Sequence, residues 1–236
     1  MAIRMYELCG AERDRRFSPF CWRIRLALAH KGLEAEMVPW LYQDIPLIQK
    51  LGSSKVPVLI DGDRVVHDSW DIAVYLEETY PDLPSLFPNG QAEARFIKSW
   101  SEAVVSLAIS PMVVLDIHDH CDPVDQPYFR ESREKRFGKP LEQVQADRDS
   151  KIDAFRQSLM PLRLTLAQQP FVAGDSPAFV DHMCISPFLW ARAISRFPLL
   201  QADDPLQGWI TRMLDAYGGI ARNAPGYPES LGQAAA

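Results

Sequence analysis

The chain has 236 residues, of which 47% are hydrophobic and 24% charged, and its net charge is −6. That length gives one large domain or two small ones, with a core that needs no disulfide or metal staple. The acidic balance argues against nucleic acid or an anionic membrane as a partner. Apolar runs such as "VPVLI" are too short to span a bilayer, and the opening "IRMYELCG" has neither the basic segment nor the apolar stretch of a secretory signal. Cys9, Cys21, Cys121 and Cys184 lack the spacing of a disulfide framework or a metal site, which suits a reducing cytoplasm.

In chain order, "IRMYEL" reads as a strand, with Ile3, Met5 and Leu8 as its apolar positions. "SPFCWRIRLALAHKG" then reads as a helix with Phe20, Ile24, Ala27 and Leu28 on one face, closed by a cation and a glycine. "EAEMVPW" is a second strand, and "VPVLIDGDRVVHD" is a hairpin turning at Asp61-Gly62-Asp63. "SWDIAVYLEETYP" is a helix with Ser69 as N-cap, Asp71 in its first turn and Pro81 beyond its end. A helical crossover between two strands implies a parallel pair, and the hairpin adds antiparallel neighbours, so a small mixed sheet with packed helices results. The proline-rich "PDLPSLFPNG" reads as a linker, giving domains 1–81 and 91–236 joined by residues 82–90. The second half carries only helical pattern, at roughly 91–118, 141–168, 178–195 and 203–220, with an irregular stretch near 119–140 and an Ala-rich tail expected to fray.

The stretch that carries chemistry is "RRFSPFCWRIRLALAHKG". Ser18 stands three places before Cys21, where a C-x-x-C motif would hold its first sulfur. An alcohol there does not ionise near neutral pH, so dithiol redox chemistry is excluded. Ser18-Pro19 is a good helix start: serine caps exposed N–H groups and proline at the first position loses nothing by lacking one. A hydroxyl that accepts from a backbone N–H still has its own hydrogen to donate, so capping and holding an external thiolate are compatible. Arg13, Arg15, Arg16, Arg23 and Arg25 crowd this start, either as a solvated face or as the approach to an anion site at the helix N-terminus. Cys21 reads as a small core residue.

These residues, followed by "SKVPVLIDG", "HDSWDIAVYLEETYP" and "PFVAGDSPAFVD", resemble the cytosolic glutathione transferases over nearly the whole chain. "YFRESREKRFGKPLEQVQADR" resembles the corresponding segment of bacterial β-aryl-etherases and a related fungal class. The resemblance implies a thioredoxin-like α/β N-terminal domain (βαβ-ββα, mixed sheet) and an all-α helical-bundle C-terminal domain. It implies a cytoplasmic homodimer of the detoxification type, with helix 91–118 in the contact, and glutathione as co-substrate with no metal, no nucleic acid and no membrane. It assigns Ser18 the hydrogen bond to the glutathione sulfur, Val56-Pro57 (Pro57 cis) the cysteinyl backbone, Asp68 and Ser69 the γ-glutamyl end, and Lys55, with Gln43, further glutathione contacts. It places Trp100, Val104, Leu107 and Met112 on the helix that lines the site of a small hydrophobic or aromatic electrophile, and core packing is the other reading of those four.

The family's helical capping box begins with Ser, Thr or Asn, and here that place is Ala178, so Ser176 or Asp175 is expected to cap instead. "DIHDHCD" gathers His118, His120 and Cys121, but histidines two apart point to opposite sides of a helix, so a polar helix end is preferred to a metal. "RESREKR" reads as a solvated helix. The expected activity is a serine-type glutathione transferase acting on an apolar aromatic electrophile, with β-aryl ether cleavage as its finer form. Two readings stand beside it: a glutathione-dependent isomerase, from the likeness of "CWRIRLAL" to the maleylacetoacetate isomerase pattern, and a non-catalytic binder of glutathione and phenolic ligands. Against the isomerase, Pro19 and Phe20 stand where that class has serine and cysteine.

Overall fold

The computed structural model describes residues 3–234, so the last two alanines of the tail lie outside it. β1 (Ile3–Leu8) and β2 (Ala35–Trp40) pair in parallel with Ile3 opposite Ala35, joined by the crossover helix α1 (Pro19–His30). After a 3₁₀ turn at Tyr42–Asp44 and a short α2 (Ile45–Gln49), β3 (Val58–Asp61) and β4 (Arg64–His67) form the hairpin. Sheet order is β2-β1-β3-β4, with β3 antiparallel to both neighbours. Asp61 pairs with Arg64, so the turn is Gly62-Asp63, and Gly62 takes a φ of 58° that side chains with a Cβ rarely adopt. α3 (Ser69–Thr79) closes the mixed α/β unit, a thioredoxin-like domain. Met5 and Leu59 from the sheet pack with Ile24, Ala27, Leu28, Ile72 and Leu76 in one buried cluster. Phe20, expected on that same helix face, is instead 39% exposed.

The second half is helical throughout: α4 (Gln91–His120), α5 (Gln126–Phe137), α6 (Leu141–Ala146), α7 (Arg148–Ser158), α8 (Met160–Leu166), α9 (Phe179–Ile194) and α10 (Gln207–Gly219). By length and composition α4 could cross a bilayer, with a mean hydropathy of 1.5 over its apolar window, which the short apolar runs in the sequence did not reveal. Packing uses part of that apolar surface: Val105, Ile109, Met112 and Val113 are buried against the other helices. Residues Ser101–Ser106 of α4 are a π segment, an i→i+5 widening that shifts the faces of the helix on either side.

Three expectations are corrected here. The stretch near 119–140 contains α5, started by Pro127 in its first turn and stopped by Gly138 at a φ of 71°. The run 141–168 is three helices, because the chain breaks at Asp147 and again before Pro161, which can only begin a helix. Neither Ser176 nor Asp175 caps α9. Ala178 has no acceptor, and the carboxylate of Asp181 makes the reciprocal half of the box by accepting from the Ala178 N–H at 3.2 Å.

The two halves meet where α1 packs on α9. At this junction Tyr217 holds a left-handed φ of 53°, and its hydroxyl hydrogen-bonds His30 Nδ1 at 3.0 Å and His182 Nε2 at 2.8 Å. Burial pushes both imidazoles below the ordinary histidine value, His182 most, and Lys31 adds to this at His30 against the opposing pull of Glu77. A depressed histidine pKa means that the unfolded chain binds more protons below about pH 6.5, so this contribution to stability is intact above that pH and lost as pH falls below it. The urea midpoint is therefore expected to drop between about pH 7.5 and about pH 5.5, and His182→Gln to flatten that drop. An unchanged slope in the variant would remove the junction from the account.

Candidate functional site

A cleft of about 690 Å³ lies between the two halves, within the ordinary range for small-molecule sites. Ser18 sits at its floor as the N-cap of α1, with backbone angles of −68° and 122°. Its Oγ accepts from the Cys21 N–H at 3.3 Å, and its carbonyl accepts from the Trp22 N–H at 3.0 Å. The helix start is thus capped as the sequence reading requires, and the Cys21 thiol lies close enough to the Ser18 hydroxyl to interact with it. Lys55 and Val56 form the adjoining wall, and the Val56–Pro57 peptide bond is cis. Gly10 permits the close approach of the two halves beside the cleft, since a Cβ there would stand 1.9 Å from the His120 carbonyl oxygen.

The five arginines around α1 each pair with a carboxylate of the protein, Glu7 serving two of them. Arg16 and Arg25 share the fully buried carboxylate of Glu7 at 3.0 and 3.5 Å, Arg23 pairs with Glu102 at 2.6 Å, Arg13 with Asp122 at 2.9 Å and Arg15 with Glu12 at 3.1 Å. They brace the start of α1 instead of forming a free anion approach. Attraction for an anion at Ser18 therefore comes from the N–H groups of α1 and from Lys55 nearby.

Cys21 is 1% exposed, and burial, with Glu7 adding to it, pushes its thiol up to about 12. It is a protonated core side chain, as is Cys121, which burial also raises to about 12. Cys21→Ala is accordingly expected to leave turnover within a few-fold of the wild type, a loss on the order of a thousandfold in a folded variant being the result that would make Cys21 reactive.

Asp68 and Ser69 lie away from the cleft lining, at the start of α3. Asp68, not Ser69, is the N-cap: its Oδ1 accepts from the Trp70 N–H at 2.8 Å, and its φ of 72° is a strained value for a residue with a Cβ. Ser69 is buried in the first turn, and its hydroxyl makes no hydrogen bond among the described residues. Gln43 is exposed and off the cleft, and its backbone N–H, with that of Tyr42, is held by Asp125 at 2.9 and 2.8 Å. Of the four residues expected on α4, Leu107 faces the cleft. Met112 is fully buried core, and Trp100 and Val104 are half-buried away from the lining. The π segment underlies this difference, because it turns Glu102 and Ser106 toward the cleft and re-phases the helix around them. The sequence reading also missed Trp40, Tyr42, Tyr128, Phe129 and Arg133, which form the far wall. For Tyr128, Phe129 and Arg133 the signal is the aromatic-basic "YFRESREKR", whose "RESREKR" part reads as a solvated helix; Trp40 and Tyr42 carry no such signal.

His118 and His120 do not act together. His118 pairs with Asp119, whereas His120 bonds the Asp116 carbonyl and Tyr227.

A thioredoxin-like domain is thus set against a helical domain, with a capping serine at the cleft between them. Residues 92–216 match the family described as glutathione S-transferase, C-terminal domain, and residues 14–85 match glutathione S-transferase, N-terminal domain. The chain belongs to the glutathione S-transferase family, and glutathione is its substrate. It is 26% identical to the glutathione S-transferase-like protein ustS of Aspergillus flavus over 72% of each chain. The crystal structure of glutathione transferase GSTFuA2 from Phanerochaete chrysosporium superposes with a TM-score of 0.76 at 26% identity, covering 93% of each chain. The transferase CsGST63524 of Ceriporiopsis subvermispora, solved in complex with glutathione, has the same fold, with a TM-score of 0.77 at 23% identity over 92% of this chain and 96% of that one.

Proposed function

We propose that the chain is a serine-type glutathione transferase in which the Ser18 hydroxyl donates its hydrogen to the glutathione thiolate. The observation that carries this reading is the position of Ser18 at the helix start on the cleft floor, where its Oγ accepts from Cys21 N and keeps a hydrogen of its own to donate. Ser18 acts as a donor and not as a base, since its own pKa is far above neutrality. Together with the N–H groups of α1 it lowers the thiol pKa from its free value of about 8.5. Lys55 and Val56 adjoin the peptide's path, and Asp68 and Ser69 receive its γ-glutamyl end: the free Asp68 oxygen suits an ammonium, and the start of α3 suits a carboxylate. Asp68→Ala and Ser69→Ala are each expected to weaken glutathione binding by about 1–3 kcal/mol in calorimetry, and unchanged affinity in both would remove that assignment.

The electrophile is aromatic, because the wall opposite Ser18 is built of Trp40, Tyr42, Tyr128 and Phe129. With the likeness of "YFRESREKRFG" to the etherase branch, this supports a β-aryl ether bearing an adjacent ketone. The sulfur attacks the carbon next to the carbonyl, the C–S bond forms, the C–O bond breaks, and a phenolate leaves with the bonding pair. A fluorogenic β-aryl ether should therefore release its phenol in the presence of glutathione. If it is untouched while halonitrobenzenes react, the general transferase reading alone survives. The chain is read as a cytoplasmic homodimer in contact through α4, where Phe96 is 72% exposed, and a monomer in sedimentation at micromolar concentration would count against that contact.

A further inference from the structure

Arg133 on α5 is a cleft-facing, half-buried arginine whose setting is aromatic and uncharged. Its guanidinium lies 4.6 Å above the Phe129 ring and 5.9 Å from that of Tyr42. Nη2 donates to Tyr42 Oη at 3.3 Å and Nη1 to Ser132 Oγ at 2.9 Å. Both partners are neutral hydroxyls, and burial pushes the Tyr42 phenol well above its ordinary value, so Tyr42 supplies no counter-charge. Among the described residues no carboxylate stands within ion-pair distance of Arg133, whereas Arg16 and Arg23 across the cleft floor each have one. Arg136, the next basic residue to face the cleft, is exposed at the rim and adds positive potential.

A planar cation held over a ring, with its fork directed by two hydroxyls, is preorganised for bidentate recognition of a carboxylate. The ring cluster beneath it suits an arene carrying that group. Glutathione also carries carboxylates, but Lys55 and the start of α3 serve that substrate on the sheet side of the cleft, and Arg133 stands on the helical side. We propose that Arg133 makes the cleft selective for aromatic electrophiles that bear a carboxylate. This rests on the transferase reading above and narrows its substrate class.

The test compares 4-chloro-3-nitrobenzoate with its methyl ester, each corrected for its uncatalysed rate with glutathione. In both, the thiolate forms a C–S bond at the ring carbon, chloride leaves with the C–Cl pair, and the thiol proton goes to solvent. The wild type should favour the acid, and in Arg133→Gln the acid-to-ester ratio of kcat/KM should fall roughly tenfold, carried by KM for the acid. Arg133→Lys, which keeps the charge but loses the fork, should retain part of the preference. The KM for glutathione separates the two sources of carboxylate: if it rises in Arg133→Gln while the ratio stays fixed, Arg133 serves glutathione and the proposal is overturned. An unmoved ratio with an unmoved glutathione KM overturns it equally. If the wild type turns over neither compound and also releases no phenol from the β-aryl ether, the transferase reading has failed; whenever neither compound turns over, selection is read from tryptophan quenching by the two compounds. Tighter binding of the acid, lost in Arg133→Gln, then supports the assignment, and equal binding overturns it.

Discussion

Asp181→Ala is expected to destabilise the fold by about 3–5 kcal/mol, the scale of removing one partner from a buried charged network. Asp181 is fully buried near the start of α9 and accepts four hydrogen bonds. Oδ1 takes the Val172 N–H at 2.7 Å and the Trp209 indole N–H at 3.0 Å, and Oδ2 takes the Ala173 and Ala178 N–H groups at 3.1 and 3.2 Å. One carboxylate therefore joins the 172–173 loop, the start of α9 and α10 through Trp209. Burial outweighs these donors and holds the carboxyl above its ordinary value, so the group depends on every donor it has. Alanine leaves four N–H groups without acceptors, of which the Ala178 and Trp209 groups are buried, each at a desolvation cost of about 1–3 kcal/mol before relaxation and water entry. Asp181→Asn keeps one oxygen acceptor and should lose about half as much. Equilibrium urea unfolding checks both, and Trp209 emission should shift to the red in the alanine variant. A loss under about 1 kcal/mol for alanine would show that water replaces the carboxylate at little cost.

Ser18→Ala is expected to lower kcat/KM by roughly ten- to a hundredfold, the equivalent of one hydrogen bond to a charged group at about 1.5–3 kcal/mol. The loss should fall on kcat below about pH 8 and shrink at higher pH, because the variant's bound thiol titrates nearer its free value of about 8.5 and its thiolate is restored as pH rises. The acid limb of the pH–rate profile therefore moves upward, a change that a purely structural defect does not produce. Removing the cap also costs about 1 kcal/mol of stability, which urea unfolding reports separately. Ser18→Thr keeps both the cap and the donor and should recover most of the activity. Full activity in Ser18→Ala would mean that the N–H groups of α1 stabilise the thiolate alone.

The extent of what was legible in the sequence differs by region, for local reasons. β1, α1, the hairpin and α3 are each written in a short window: an apolar period, a cap and a turn residue suffice to define them. Ser18-Pro19 is such a signal, and the structure has the cap where the residues require it. Within the helical half the periodicity was equally clear, yet it merged three helices into one run and showed α5 only as a short solvated helix in an irregular stretch. Residues 126–137 carry too little apolar stripe to read as a packed helix, since Phe129 alone among them is buried.

The amino-acid sequence by itself determined the two-part architecture, the serine at the start of the crossover helix, and the inertness of cysteines placed among apolar neighbours. All of these rest on contacts within a turn or two of chain. Only the tertiary structure decided which charges cancel and which do not. Glu7 meets Arg16 and Arg25 across the end of a strand, Arg23 meets Glu102 from 79 residues away, and Arg133 comes to rest on rings with no carboxylate beside it. The same holds for the wall of the cleft: on α4, which carries the π segment, Leu107 faces the cleft and Met112 is buried, and Asp125 ties α5 to the Tyr42–Gln43 backbone. A sequence period states which face of a helix is apolar. What that face meets depends on helix phase and on partners tens of residues distant, and those are fixed only when the elements pack.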